Sequence, residues 1–215
     1  MAYNTQSTRD QTAQPQSELS TDHKRAAECL IQAFKSDPLM SRIIDSAKTE
    51  ELRQELWCRY FEEMTKASIE EGKVYQVDDH KAVSIWFAPG QELTSFDKSQ
   101  FSRHLGSEGM EKIRALGKMM HEMSDKLVGD KPMWYCYMVG VDPSEQGNGY
   151  ASKVVRNITK LADEQQVICY LESSKPDNVP IYKHYGFHVV EVQHFDGDIP
   201  VYFMIRKPET QKSHL

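Results

Sequence analysis

The chain has 215 residues, 39% of them hydrophobic and 27% charged, a balance that fits one globular domain with a core and excludes a disordered or collagenous chain. Its 32 acidic residues outnumber 26 lysines and arginines, for a net charge of −6. That argues against nucleic acid as a partner, because phosphates call for a basic excess. Cys29, Cys58, Cys136 and Cys169 show no CxxC spacing, so neither a zinc site nor a disulfide framework is signalled. All four read as reduced core residues.

Residues 1–17 are rich in Gln, Ser and Thr and predict a mobile polar tail ahead of a single domain over 18–208. Residues 209–215 form a short C-terminal tail. No apolar run approaches the ~18 residues that span a bilayer, and the N-terminus has no signal-like segment, so the expected location is cytoplasmic. The terminal Ser213-His214-Leu215 differs from the peroxisomal address Ser-Lys-Leu by one basic residue, which makes a peroxisomal location the alternative in a eukaryote.

Thr21 and Asp22 are N-cap residues ahead of Ala27, Leu30, Ile31 and Phe34, whose spacing predicts an amphipathic helix ended by Asp37-Pro38. A second helix is predicted near 50–71 on the stripe Leu52, Leu56, Tyr60, Phe61 and Met64, with Gly72 ending it. Lys73 to Val77 and Ala82 to Phe87 read as strands joined through Asp78-Asp79-His80-Lys81. Ile113, Leu116, Met120, Met123 and Leu127 mark another helix. Trp134 to Val141 is a long strand, followed after a glycine-rich loop by a helix carrying Val154, Val155, Ile158 and Leu161. Val167 to Leu171, a short helix at 179–184, Phe187 to Val192 and Val201 to Ile205 complete an α/β domain with a mixed sheet; a first strand near 16–20 is too short and polar to assign.

The segment Gln146-Gly147-Asn148-Gly149-Tyr150-Ala151 joins a buried strand to a helix. The first turn of a helix has N–H groups without intrahelical partners, and its dipole favours an anion. Two glycines and a small Ala151 would let a phosphate approach the backbone. An unliganded strand–helix turn has the same composition. No P-loop pattern is present, and a dinucleotide GxGxxG would need glycine where Ser152 stands, although Glu172 lies near the spacing of a ribose-binding acid.

The same six residues fit the [QR]-x-x-G-x-[GA] pyrophosphate loop of the GNAT acetyltransferases, which the chain resembles over roughly 20–208. Val139-Gly140-Val141-Asp142-Pro143 looks like the strand that leads into that loop, and Asn178-Val179-Pro180-Ile181-Tyr182-Lys183-His184-Tyr185-Gly186-Phe187 like the family's "N…FY..LGF" segment. Ala33-Phe34…Asp37-Pro38, Ala82-Val83-Ser84-Ile85-Trp86, Leu171-Glu172-Ser173-Ser174 and Arg206-Lys207-Pro208 make puromycin N-acetyltransferase-like members the most similar branch.

The resemblance implies a GNAT-like mixed sheet flanked by helices and acetyl transfer from acetyl-CoA to the amine of a small molecule. Backbone N–H groups from Gly147 to Ala151, with Gln146 and Asn148 beside them, would take the pyrophosphate. Val139 and Val141 would pair with the pantetheine as an added strand, Asn178 would touch the arm, and a bulge or splay near Gly140 would free an N–H for the thioester oxygen. Tyr182 would protonate the leaving thiolate, with Tyr185 on nearly the same helical face. Glu172 is the first candidate base and Asp142, more suited to ordering its own turn, the weaker one. Trp57, Tyr60, Trp86, Tyr135 and Tyr137 are candidate walls for the amine, though any single one could equally be core. No metal is expected, and a monomer or homodimer fits. A non-catalytic acyl-CoA sensor, a protein or peptide N-acetyltransferase and a nicotinamide-dependent oxidoreductase are the competing functions.

Overall fold

The structure is a computed structural model that describes residues 16–96 and 98–209, with the backbone alone for 98–103. The elements in chain order are β1 (Glu18–Leu19), α1 (His23–Phe34), α2 (Pro38–Ile44), α3 (Glu50–Glu71), β2 (Lys73–Val77), β3 (Ala82–Phe87), α4 (Lys98–Leu127), β4 (Met133–Val141), α5 (Tyr150–Gln165), β5 (Ile168–Ser173), α6 (Asn178–His184), β6 (His188–Phe195) and β7 (Ile199–Arg206). The seven strands form one sheet in the order β1-β2-β3-β4-β5-β7-β6. Its neighbours run antiparallel except β4 and β5, which are parallel.

The two faces of the sheet carry different cores. One buries Val83, Ile85, Tyr170 and Phe203 against Ala26 and Leu30 of α1, Phe61 and Met64 of α3 and Leu105 of α4. The other buries Trp86, Trp134, Cys169 and Leu171 against Val155, Ile158 and Ala162 of α5. Period-3.6 stripes on the helices and period-2 alternation on the strands place these side chains.

Several boundaries depart from the sequence expectation for identifiable reasons. Asp37-Pro38 ends one helix and also starts the next: the Asp37 carboxylate accepts from the N–H groups of Leu39 and Met40, and Pro38 takes the first helical position, where it loses no bond. α4 begins well before the apolar stripe, and Gly106, at φ 68° and ψ −170°, breaks its helical path. A first strand exists, two residues long, paired with β2. Cys58 is exposed rather than core, since it stands two residues past buried Leu56 on α3 and so faces away from the sheet. Ser17, expected in the tail, donates its hydroxyl to the Lys153 carbonyl at 2.9 Å. The rest of that tail through residue 15 lies outside the described residues, as do Ser213-His214-Leu215. No helix among the described residues is long and apolar enough to cross a membrane.

At the β7 end, Arg206 is 5% exposed. Its guanidinium makes a bidentate pair with Asp163 of α5 at 2.6 and 2.7 Å and also donates to the Tyr185 carbonyl at 3.1 Å. Removing one partner of such a pair strands the other charge. Asp163→Ala should therefore cost about 3 kcal/mol, read as a lowered urea midpoint with an unchanged slope.

Candidate active site

The site begins with an irregularity in β4. Ile85 faces Met138 and Trp86 faces Cys136, so Tyr137 is an extra residue in β4, a β-bulge. Pairing of β4 with β5 stops at the same place, after Cys136 and Leu171. Beyond it, β4 stays on β3 while β5 diverges. The Asp142 N–H donates to the Lys81 carbonyl at 2.9 Å. Antiparallel alternation then makes Gly140 with Val83, and Met138 with Ile85, the pairs that exchange hydrogen bonds. The N–H and C=O groups of Val139 and Val141 turn to the opposite side, into the gap that β5 has vacated.

This relocates one expectation. The opening falls at Tyr137, earlier than the Gly140 position expected, and the Gly140 N–H is committed to β3. Gly140 serves packing instead. A Cβ there would stand 2.8 Å from Ala33 Cβ and 2.9 Å from Leu30 Cδ2, so the missing side chain lets α1 lie close on the sheet.

The gap leads to the start of α5. Asp142 caps a single 3-10 turn over Pro143–Glu145, accepting from the N–H and the hydroxyl of Ser144, which hold its carboxyl below its ordinary value. It orders the turn and lies off the cavity. Gly147 and Gly149 follow at φ 83° and 76°, left-handed values that favour glycine. A Cβ at either would meet nothing within 4 Å. Gly149 is the N-cap of α5, and no side chain caps the helix. The first-turn N–H groups, Ala151 among them, are therefore left without a side-chain acceptor, with exposed Gln146 and Asn148 beside them. The Tyr150 side chain turns away: its hydroxyl donates to Asp78 at 2.6 Å and its ring lies beneath Lys81 and Lys153, so only its backbone belongs to the cradle. These features fit the diphosphate of a nucleotide cosubstrate.

At the other end of the gap a cavity of about 390 Å³ opens between β4, the end of β5, α6 and the helices α2, α3 and α4. Glu172, Tyr182, Asn178, Tyr60, Tyr135, Tyr137 and Val139 all line it. The Tyr135 hydroxyl donates to Glu172 Oε2 at 2.9 Å. Burial pushes the Glu172 carboxyl up to about 7, against the opposing pull of the Tyr135 and Tyr170 hydroxyls. Burial likewise holds the Tyr182 hydroxyl well above its ordinary value, so it keeps its proton at neutral pH. β5 extends to Ser173, which puts Glu172 on the strand itself.

Two aromatic residues do not belong to the site. Trp86 is fully buried on the α5 face, because the bulge sets its side chain with that of Cys136. Trp57 packs on Phe61 at 5.2 Å and donates its indole N–H to the Ile31 carbonyl at 3.3 Å, off the cavity. The sequence reading missed Asp37, Ser174 and the α2–α4 wall. Ser174 Oγ donates to Asp37 Oδ2 at 2.6 Å, tying the start of α2 to the residue following β5. Asp37-Pro38, a helix-start pattern, was the one local signal for that link.

Comparison with known proteins gives the class. Residues 49–187 match the acetyltransferase (GNAT) family. An uncharacterized N-acetyltransferase of Schizosaccharomyces pombe is 31% identical over 204 residues, covering 88% of this chain and 81% of its own. The chain thus belongs to the GNAT acetyltransferase family and is an acyltransferase. A histone acetyltransferase HPA2 and related acetyltransferase structure from Corynebacterium glutamicum superposes with a TM-score of 0.67 at 18% identity, over 93% of this chain and 99% of that one. Arylalkylamine N-acetyltransferase 2 from Aedes aegypti gives 0.54 at 13% identity, over 90% and 99%. At such identities these two show the shared fold.

The Glu172 shift has a stability consequence. Below an unfolded-state value of 4.5 the carboxyl is protonated in both states and contributes no difference. Between 4.5 and about 7 only the unfolded chain ionises freely, so this group's contribution falls as pH rises. Glu172→Gln is expected to raise stability by about 1–3 kcal/mol at pH 8 and to change it little at pH 4, measured by urea unfolding at both.

Proposed function

We propose that the protein transfers acetyl from acetyl-CoA to the amine of a small molecule by direct attack on the thioester. The observation that carries this is the continuity of three features: the uncapped start of α5, the unpaired edge of β4 and the Glu172–Tyr182 end of the cavity. Backbone N–H groups from Gly147 to Ala151 bind the diphosphate. Val139 and Val141 exchange hydrogen bonds with the pantetheine amides as a neighbouring strand would. Asn178, at the start of α6, orients the arm. A main-chain N–H of the same edge polarises the thioester oxygen.

Glu172 acts as the base. An alkyl amine is mostly protonated near neutral pH, with an ordinary value of about 10.4 like that of lysine. A carboxylate with a midpoint near 7 accepts its proton, directly or through one water, better than a normal carboxylate would. Tyr182 returns a proton to the departing thiolate. A small acceptor is favoured over a peptide because α2 and α4 wall the cavity and tyrosines line it. A carboxylate and a protonated tyrosine lining one cavity favour catalysis over a passive acyl-CoA sensor. The similarity to puromycin N-acetyltransferase-like members is part of this reading and rests on the sequence segments that carry it.

A panel of primary amines with acetyl-CoA, read as free thiol, tests the function; binding without thiol release on every amine would defeat it. Gly149→Glu should lower acetyl-CoA affinity by about a hundredfold or more in calorimetry while circular dichroism stays native, because a charged side chain enters the cradle. Tyr182→Phe should lower kcat by about a hundredfold and leave acetyl-CoA affinity within about twofold. Equal turnover for variant and parent would remove Tyr182 from the chemistry.

A further inference from the structure

The chemistry of the cavity walls narrows the acceptor, taking the proposed acetyl transfer as given. Among the described residues that line it there is no Lys, Arg or His, and the acids are Glu172 and Asp37. The Asp37 carboxylate is committed. Its Oδ1 accepts from the N–H groups of Leu39 at 3.1 Å and Met40 at 2.9 Å, and its Oδ2 accepts from Ser174 at 2.6 Å. Among the described lining residues Glu172 is therefore the carboxylate with fewer donors already on it, one from Tyr135 against three on Asp37. The wall opposite is apolar: Leu39, Met40 and Ile43 from α2, and Ile113, Leu116 and Met120 from α4.

We infer that the acceptor is a primary monoamine on a bulky apolar body, with its nitrogen at Glu172, its body against the α2–α4 wall, and Gly117 setting how large that body can be. A second ammonium held along the α2–α4 wall would meet Leu39, Met40, Ile43, Ile113, Leu116 and Met120, whose side chains offer no oxygen to accept from it. An α-carboxylate beside the amine, as in an amino acid, would lie near Glu172 with no cation among the described lining residues to offset it. A hydrocarbon or aromatic body gains burial at every point of the same wall.

Gly117 supplies the size limit. It lines the cavity within α4, between Ile113 and Met120 on the same helical face. Glycine inside a helix is unfavourable relative to alanine. Packing does not call for it here, since a Cβ at 117 would meet nothing within 4 Å. Gly109 on the same helix contrasts with it: a Cβ there would stand 2.4 Å from Leu105 Cβ. The space at 117 is left open to the cavity.

The test compares butylamine, 4-phenylbutylamine, 1,4-diaminobutane and phenylalanine as acceptors with the parent and with Gly117→Phe, at saturating acetyl-CoA. For the parent, kcat/KM for 4-phenylbutylamine should exceed that for 1,4-diaminobutane and for phenylalanine by about a hundredfold. Gly117→Phe should lower kcat/KM for 4-phenylbutylamine by about tenfold or more relative to its effect on butylamine. Its thermal midpoint should be at least that of the parent, which separates a filled cavity from a damaged fold. Preference for the diamine or the amino acid, or an equal loss on both monoamines, overturns the inference while leaving acetyl transfer intact. Thiol release with none of the amines, despite calorimetric binding of acetyl-CoA, overturns the proposed function itself.

Discussion

The functional end of the molecule depends on one residue too many in a strand. Tyr137 has no opposite number on β3, and the β4 ladder shifts by one place around it. Two things follow. Side chains before the bulge alternate with Cys136 toward α5, whereas Met138 after it joins the α1 side. Pairing with β5 also lapses there, which exposes the polar edge of a central strand inside the protein. An unpaired edge of that kind is unfavourable unless something pairs with it. A pantetheine arm, with amides spaced along an extended chain, is a suitable complement.

The carboxyl at the cavity wall shows the tension between stability and chemistry. Glu172 is on a strand whose neighbours Tyr170 and Leu171 are almost fully buried. The fold holds a group there that would ionise more readily in water. The Tyr135 hydroxyl offsets part of that cost and fixes the direction of one carboxylate oxygen. A carboxyl placed in this way changes charge near neutrality, where an exposed glutamate would already be fully ionised.

Much of this was legible in the residues themselves. Apolar spacing gave α1 and α3 to within a few residues and the buried stripe of α5, and the β2–β3 hairpin was marked by the run from Asp78 to Lys81, three of whose residues adopt positive φ. Gly147 and Gly149 announced the left-handed turn into an uncapped helix start, a backbone that selects glycine. The bulge was placed too late in β4, since no residue type marks Tyr137 and only the register with β3 reveals it. Trp86 was misassigned for the same reason: strand period tells that two faces alternate, not which face meets the site. The α2–α4 wall was invisible because its residues lie far from Glu172 in sequence and meet it only through tertiary packing, with Asp37 playing a capping role and Gly117 leaving no pattern at all.

The separation of the two hydrophobic layers has an evolutionary meaning. The layer beneath α5 braces the helix with the uncapped start, while the cavity walls of α2 and α4 rest on the other side of the sheet. Changes at well-separated positions tend to combine independently in their energetic effects. A lineage could thus rewrite the lining contributed by α2 and α4 while its descendants inherit an undisturbed start of α5.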